Sequence, residues 1–479
     1  MNRNNNSIIR IQKVELTNFK NVEHGSITFN CGKKHTPWGT EPDILGIYGQ
    51  NGSGKTAFID SLIIVKAILS GEIIPASYCN CVTNGKDYAE INYTFECQTR
   101  DGELRNYNYK CRLRNTSNDV DSEASDMLVV SNEDKKSDAI EVYDEKLSFS
   151  GMFKGKKYNL QAIIDTSTKD IPFGPEMKLK ALCDSSEYTS IVTFLNVEKK
   201  LASEQSQSFI FKKKIRTLFK ESEDWPGNIY YHVINDLYTF AKEYLFILDT
   251  KFTGEIRLNS SFPIFTSSGY VKLNAEGPSD VAEQFLPTLS KIIDNMNLAI
   301  SNLIPSMEIS LEEIGSKMMP DGRIAKVVEL VSRRNGKVLP LRYESDGIRK
   351  IVSCMQLLIT AHNNPSVTVA IDEFDSGVFE YLLGEILIIM EETGVGQFIF
   401  TSHNLRPLEV INKKYLYFTT TNPQNRYIHL KNIGNSNNLR DVYYREIIIG
   451  SQDEELYSET KRYRIAAAFR KAGEALERI

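Results

Sequence analysis

Apolar and polar residues alternate through Ile9-Arg-Ile-Gln-Lys-Val-Glu-Leu16 and again through Gly25-Ser-Ile-Thr-Phe29. This period of two predicts a pair of strands around a turn at Asn18-Phe19-Lys20-Asn21, each burying one face. The pattern recurs in Ala89–Cys97 and Tyr107–Leu113, joined at Asp101-Gly102, and predicts an antiparallel meander. Ile44-Leu-Gly-Ile-Tyr48 is apolar throughout, which reads as a buried strand, and Ala57 to Leu69 has the length and Leu/Ile content of a helix packed on a sheet. Residues 115–138 are rich in Ser, Asn, Asp and Glu and read as a mobile loop.

Beyond Pro172 the spacing becomes helical, in Ser208–Leu248 and Val281–Ile304, with a break near Trp225-Pro-Gly227. No heptad persists over three repeats, so a long coiled-coil arm is not expected. Arg323–Val331 returns to strand alternation, and Asn335-Gly336 is a hairpin turn signal. Val367–Ile371 and Gly396–Ser402 read as two further buried strands, and the chain after Asn437 as a charged helical tail. The expected division is an N-terminal lobe at 1–170, a mostly helical insertion at 171–336, the second part of the lobe at 337–436, and the tail at 437–479.

A length of 479 residues implies roughly two or three domains. No run approaches the ~18 consecutive apolar residues of a membrane helix, so no membrane association is expected. The polar start, Met1 to Ser7, lacks the apolar core of a signal peptide, which with scattered cysteines (Cys31, Cys79, Cys81, Cys97, Cys111, Cys183, Cys354) points to a reducing cytoplasm. Cys79-Asn-Cys81 has no second Cys or His pair at ligand spacing and reads as a thiol pair rather than a metal site. A net charge of −5 exerts no overall pull on nucleic acid. DNA contact would need a local patch, and Lys212-Lys-Lys-Ile-Arg216, with Lys220 behind it, is the densest candidate.

The chemistry concentrates in Gly49-Gln-Asn-Gly-Ser-Gly-Lys55-Thr56, which fills every fixed position of the pattern G-x-x-x-x-G-K-[ST] between a predicted strand and a predicted helix. Gly49, Asn51, Gly52, Ser53 and Gly54 would form a loop whose backbone N–H groups face phosphates. Lys55 would reach the β- and γ-phosphates of ATP, and the Thr56 hydroxyl would ligate Mg²⁺. Asp372 and Glu373 end an apolar strand, where Asp372 could hold the metal's water shell and Glu373 could act as general base. His403, at the tip of the next buried strand, is placed to sense a γ-phosphate through its ring N–H. Asp119-Val-Asp121 echoes a nuclease carboxylate pair, but no apolar strand precedes it and it reads as solvated loop.

Gly49–Thr56, Asp372-Glu373 and Ser402-His403 together resemble the ATPase heads of the ABC superfamily, in the branch that includes SMC proteins, RecF and the OLD-like ATPases of bacterial phage defence. Leu16-Thr-Asn-Phe-Lys20 resembles the opening strand of that branch. Glu344-Ser345-Asp346-Gly347-Ile348-Arg349 resembles its signature motif, and the resemblance covers roughly residues 8–110 and 340–432. It implies an α/β P-loop head with an antiparallel meander. It also implies Mg²⁺-dependent hydrolysis of ATP held between the P-loop of one subunit and Ser345, Asp346 and Gly347 of another, so that heads self-associate. Asp375-Ser-Gly377 would cross that interface. Gln98, Gln161, Gln205 and Gln207 all remain open for the glutamine that this superfamily places beside the metal.

The resemblance leads to a sensor or regulator of a separate effector, a nuclease or toxin, in anti-phage defence. The rivals are a RecF-like ATPase that binds DNA directly and a transporter subunit, against which the missing Leu-Ser-Gly-Gly-Gln stands.

Overall fold

The computed structural model describes residues 7–29, 42–115, 139–168, 170–180, 182, 187–221, 229–249, 261–266, 269–274, 276–319, 322, 324–431, 438–450, 452–458 and 461–476. The chain opens with β1 (Ile8–Phe19), β2 (Val22–Thr28), β3 (Asp43–Tyr48) and α1 (Lys55–Ser70), then β4 (Ala89–Gln98), β5 (Leu104–Asn115), β6 (Ile140–Phe153) and β7 (Lys156–Asp165). Helices α2 (Glu176–Lys180), α3 (Tyr188–Glu204), α4 (Lys213–Glu221) and α5 (Ile229–Thr239) follow, and α5 runs through a π-helical turn, Phe240–Tyr244, into β8 (Leu245–Leu248). Next come β9 (Ser261–Thr266), β10 (Gly269–Asn274), β11 (Ser279–Ala282), α6 (Leu286–Leu303), β12 (Met307–Met318), β13 (Ile324–Arg334) and β14 (Lys337–Pro340). The last stretch holds α7 (Asp346–Asn363), β15 (Thr368–Ile371), α8 (Glu380–Thr393), β16 (Gln397–Ser402), α9 (Pro407–Val410), β17 (Leu416–Thr419), β18 (Tyr427–Ile428), α10 (Leu439–Ile449) and α11 (Arg462–Leu476).

This is an α/β architecture built on two six-stranded sheets. The central one has the order β18-β17-β3-β16-β15-β8 and is parallel except for β18. Strands β3, β15, β16 and β17 are buried at every position because both faces of the sheet are covered. Leu45, Ile47, Ala370 and Ile399 face a core shared with α1 and the antiparallel sheet, while Ile44, Tyr48, Ile371 and Phe400 face one shared with α6, α7 and α8. The antiparallel sheet, β2-β1-β4-β5-β6-β7, presents Ala89, Ile91, Tyr93, Phe95 and Cys97 inward at every second residue of β4. Helix α1 lies between the sheets and is buried nearly all round; its Ser61 hydroxyl meets Tyr93 Oη at 2.7 Å.

The sheets are clamped at the edge away from the P-loop. A bulge between Ile11 and Lys13 interrupts the β1–β4 ladder. The freed backbone of Ile11 pairs with the Gln397 side chain, whose Oε1 accepts from Ile11 N at 3.2 Å and whose Nε2 donates to Ile11 O at 2.9 Å. A buried amide satisfied in this way fixes register as well as adding stability.

Several expectations change here. The tail of the helical reading Ser208–Leu248 is strand β8, which pairs in parallel with β15 inside the central sheet. The start of Val281–Ile304 is likewise β11, and the helix begins at Leu286. A short apolar run fits either element by periodicity alone, and the free edge of β15 decides for strand. Between 171 and 336 helices therefore alternate with strands, and β12–β13 form a long hairpin. The Asn335-Gly336 turn has both residues at positive φ, 50° and 77°, as a type I′ hairpin requires. The Trp225-Pro-Gly227 break, most of the 115–138 loop, Asp119-Val-Asp121, Cys31 and Cys183 lie outside the described residues.

Candidate functional site

Register brings the motifs to one edge of the central sheet. Tyr48 of β3 pairs with Ser402 of β16, and Ile371 of β15 with Phe400, so Gly49, His403 and Asp372 all emerge at the strands' carboxyl ends. In open parallel sheets that edge is where ligands bind.

The loop from Gly49 to Gly54 leads into α1, which has a left-handed Gly54 at its N-cap, no capping side chain and no acidic residue in its first turn. An anion there would meet unmasked N–H groups and the positive end of the helix dipole. Gly49 is required by space, since a Cβ would come within 1.6 Å of Thr419 Oγ1. Ser53 is buried, and its hydroxyl bonds Gln50 O at 2.6 Å and Thr419 Oγ1, stitching the loop to β17. Asn51 and Gly52 are exposed, and Asn21 donates to the Gly52 carbonyl, so the turn after β1 braces the loop. Lys55 Nζ donates to the Gly49 and Gln50 carbonyls at 2.7 and 2.9 Å. Burial lowers its pKa to about 8, against the opposing pull of Asp372, Glu373 and Asp375. Thr56 is half-buried one residue further on.

Across the crevice, Asp372 is buried and its Oδ1 accepts from Thr401 Oγ1 at 2.6 Å. The same Thr401 hydroxyl accepts from Glu373 N at 2.7 Å. Glu373 sits at φ 46°, a left-handed conformation costly for a residue with a side chain, and such strain concentrates at functional sites. Asp375 Oδ2 accepts from the backbone N–H groups of His403 and Asn404, at 3.0 and 2.8 Å, and so shapes the loop that carries His403. Burial, and then the nearby Lys55, lower the His403 pKa below its ordinary value against the pull of the three carboxylates, which favours the neutral ring.

Ser345, Asp346 and Gly347 stand apart from this cluster at the N-terminus of α7. Ser345 caps the helix, accepting from Ile348 N at 3.4 Å, and both Ser345 and Asp346 are exposed. Gly347 is buried because the helix start lies against the loop after β15; a Cβ there would approach Gly377 O to 1.9 Å. The open glutamines do not join the site. Gln98 pairs with Ile8 at the far end of β1, Gln161 lies on β7, and Gln205 with Gln207 sit by the C-terminus of α1, where Gln207 donates to Gly71 O. Asp249, directly after β8, holds the adjoining strand end and accepts from Tyr78 Oη.

Thr401, whose hydroxyl meets both Asp372 and Glu373 N, and Lys350, whose Nζ donates to the Glu373 backbone carbonyl, were missed by sequence reasoning. Thr401 precedes the Ser402-His403 pair, and its alternation with Phe398 and Phe400 along β16 marks it only as a buried strand residue.

A protein-family model described as an AAA domain matches residues 13–258. Among solved structures, the chain is similar to an Smc head domain with an extended coiled coil bound to the C-terminal domain of ScpA, from Pyrococcus furiosus, at 13% identity. That match covers 88% of this chain and 96% of the other, with a TM-score of 0.40. An Smc head domain with a coiled coil and joint from Pyrococcus yayanosii matches at 13% identity, over 88% and 98%, with a TM-score of 0.41. The recombination mediator protein RecF of the RecFOR pathway matches at 11%, over 86% and 98%, with a TM-score of 0.35. No curated protein matches the chain.

Proposed function

The chain belongs to the AAA domain family, and from that premise we propose that it binds ATP at the carboxyl edge of its central sheet and hydrolyses it as a switch between head association and release. One observation carries the reading: Lys55, Asp372, Glu373 and His403, far apart in sequence, come together at the carboxyl ends of β3, β15 and β16 beside an uncapped helix N-terminus. The donor set fits Mg²⁺–ATP. Thr56 and Asp372 would supply hard oxygen ligands to the metal, whose charge would offset that of the β- and γ-phosphates. Lys55 exchanges its two loop carbonyls for phosphate oxygens. Glu373 accepts a proton from the attacking water, and the neutral His403 ring offers an N–H to the γ-phosphate.

The finer reading is a regulator of a separate nuclease or toxin in anti-phage defence, with heads that join across ATP through Ser345, Asp346 and Gly347. The exposed positions of Ser345 and Asp346 support a role toward another molecule. Exposed apolar side chains on the tail helices, Tyr444, Ile448 and Ile449 on α10 and Tyr463, Ile465 and Phe469 on α11, support a protein partner. The basic run gives the DNA-binding alternative little support. Lys212 is buried, and it pairs with Glu198 at 3.2 Å while Lys214 pairs with the same carboxylate at 2.5 Å.

Two variants test the chemistry. Lys55→Ala should abolish ATP binding, whereas Glu373→Gln should bind ATP normally and hydrolyse about 10²–10⁴-fold more slowly, the usual loss for a positioned general base. Equal loss of affinity in both variants, measured with a fluorescent ATP analogue, would show that Glu373 is misassigned. Copurification with the product of an adjacent reading frame tests the effector; a chain that purifies alone yet binds double-stranded DNA in a salt-sensitive, ATP-stimulated way favours the RecF-like alternative.

A further inference from the structure

Lys350 lies one turn into α7 and points away from solvent, with 3% of its surface exposed. Its Nζ donates to the backbone carbonyl of Glu373. A buried ammonium is expensive unless charge and hydrogen bonds offset it. Here burial lowers the pKa of Lys350, while Cys354 and the carboxylates of Asp375, Glu373 and Asp372 pull the other way. The described contact that anchors the cation is its hydrogen bond to the Glu373 carbonyl.

Glu373 supplies the second half of the observation. Its left-handed backbone must be over-determined by its surroundings to persist. Two side chains from different elements do this: Thr401 of β16 accepts from its N–H at 2.7 Å, and Lys350 of α7 donates to its C=O. Fixing both ends of the residue fixes its Cα–Cβ direction and so aims the carboxylate. The loop just beyond is pinned to the same helix by the backbone contact between Gly347 and Gly377. The exposed N-cap of α7, at Ser345, is thus one helical turn from the lysine that holds Glu373.

We propose that Lys350 is a positioning residue for hydrolysis, which makes the aim of Glu373 depend on where α7 sits. A displacement of α7 by anything that engages Ser345 and Asp346 would then be felt at the carboxylate through one hydrogen bond. This rests on the reading of Glu373 as general base, and the test separates the two ideas.

Lys350→Met removes the charge and the donor while keeping an unbranched chain suited to a buried site. Its ATP affinity and melting temperature should stay close to wild type, while kcat falls about 10- to 100-fold, as for a misaimed catalytic group. Single-turnover hydrolysis by Lys350→Met/Glu373→Gln should be no slower than by Glu373→Gln alone, because residues that act as a unit are not additive. Lys350→Met with wild-type kcat, an equal loss of affinity and turnover, or additive losses in the double variant would each overturn the inference while leaving Glu373 in place. Wild-type turnover in Glu373→Gln would instead remove the general base and this inference with it. Should Lys350→Met not fold, Lys350→Gln, which keeps a donor of shorter reach, is measured by the same criteria.

Discussion

Asp236 shows how far a single residue can depart from what its neighbours in sequence suggest. It lies on α5, where helical spacing marks Val233, Ile234 and Leu237 as core, yet its half-buried carboxyl turns inward and accepts from Tyr107 Oη at 2.7 Å. Burial raises its pKa from 3.8 to about 6, more than Tyr107 and Arg105 can offset. A group whose folded pKa exceeds its unfolded value contributes stability that is fully present below about pH 4 and is lost as pH rises through about 6. Asp236→Asn keeps an acceptor for Tyr107 and never ionises. Thermal melts should therefore show the variant gaining on wild type between about pH 4 and 6, then holding a constant advantage on the order of 2 kcal/mol. A difference that does not change with pH would mean that Asp236 titrates normally. At this scale the sequence was legible where a motif marks a strand end, as in Gly49–Thr56 and Asp372-Glu373, which the structure brings to one sheet edge. It was opaque for Lys350, Thr401 and Asp236, whose partners lie 23, 28 and 129 residues away.

At the scale of elements, alternation and turn chemistry revealed β1, β2, β4, β5 and β13, since each buries one face more deeply than the other. They did not reveal β7, whose pairing is set by β6 and whose first five residues are mostly exposed. Nor did they separate β8 from the helix before it, because a π-helical turn delivers the chain into the strand without a breaker. The basic run at 212–216 was misleading for a related reason: charge along a helix says nothing about what lies opposite. Glu198 of α3 is buried and takes both Lys212 and Lys214, and Arg216 stacks over the Tyr238 ring at 3.4 Å. Lys212→Glu would place a second carboxylate beside Glu198 with no cation to spare. It should lower stability by about 3–5 kcal/mol, the cost of breaking a buried pair. Lys213→Glu, on an exposed side chain, should stay within about 0.5 kcal/mol of wild type. Urea unfolding of the two variants checks this, and equal, small effects would restore the run as a free surface patch.

Taken as a whole molecule, the chain holds the residues proposed for catalysis at one sheet edge and presents Ser345 and Asp346 on a helix start that makes no described hydrogen bond to the P-loop. If ATP is sandwiched, Ser345 must meet the P-loop of a second copy, and the symmetric arrangement gives two equivalent composite sites. Complementation tests this without any structure of the dimer. Lys55→Ala and Ser345→Arg homodimers should each be inactive, the first for lack of a phosphate ligand and the second because a bulky cation blocks the exposed N-cap. Mixed in equal amounts, half of the dimers pair one of each. Every such dimer has one site with both defects and one with neither, so hydrolysis should recover to roughly a quarter of wild type. Recovery should require both chains in the same tube and should vanish if Glu373→Gln is added to the Ser345→Arg chain, which supplies the intact P-loop. It should survive if Glu373→Gln is added to the Lys55→Ala chain instead, whose carboxylate serves only the dead site. Activity in either homodimer, or none in the mixture, would mean that the P-loop and Ser345 do not complete each other's site, and that the exposed end of α7 meets a different partner.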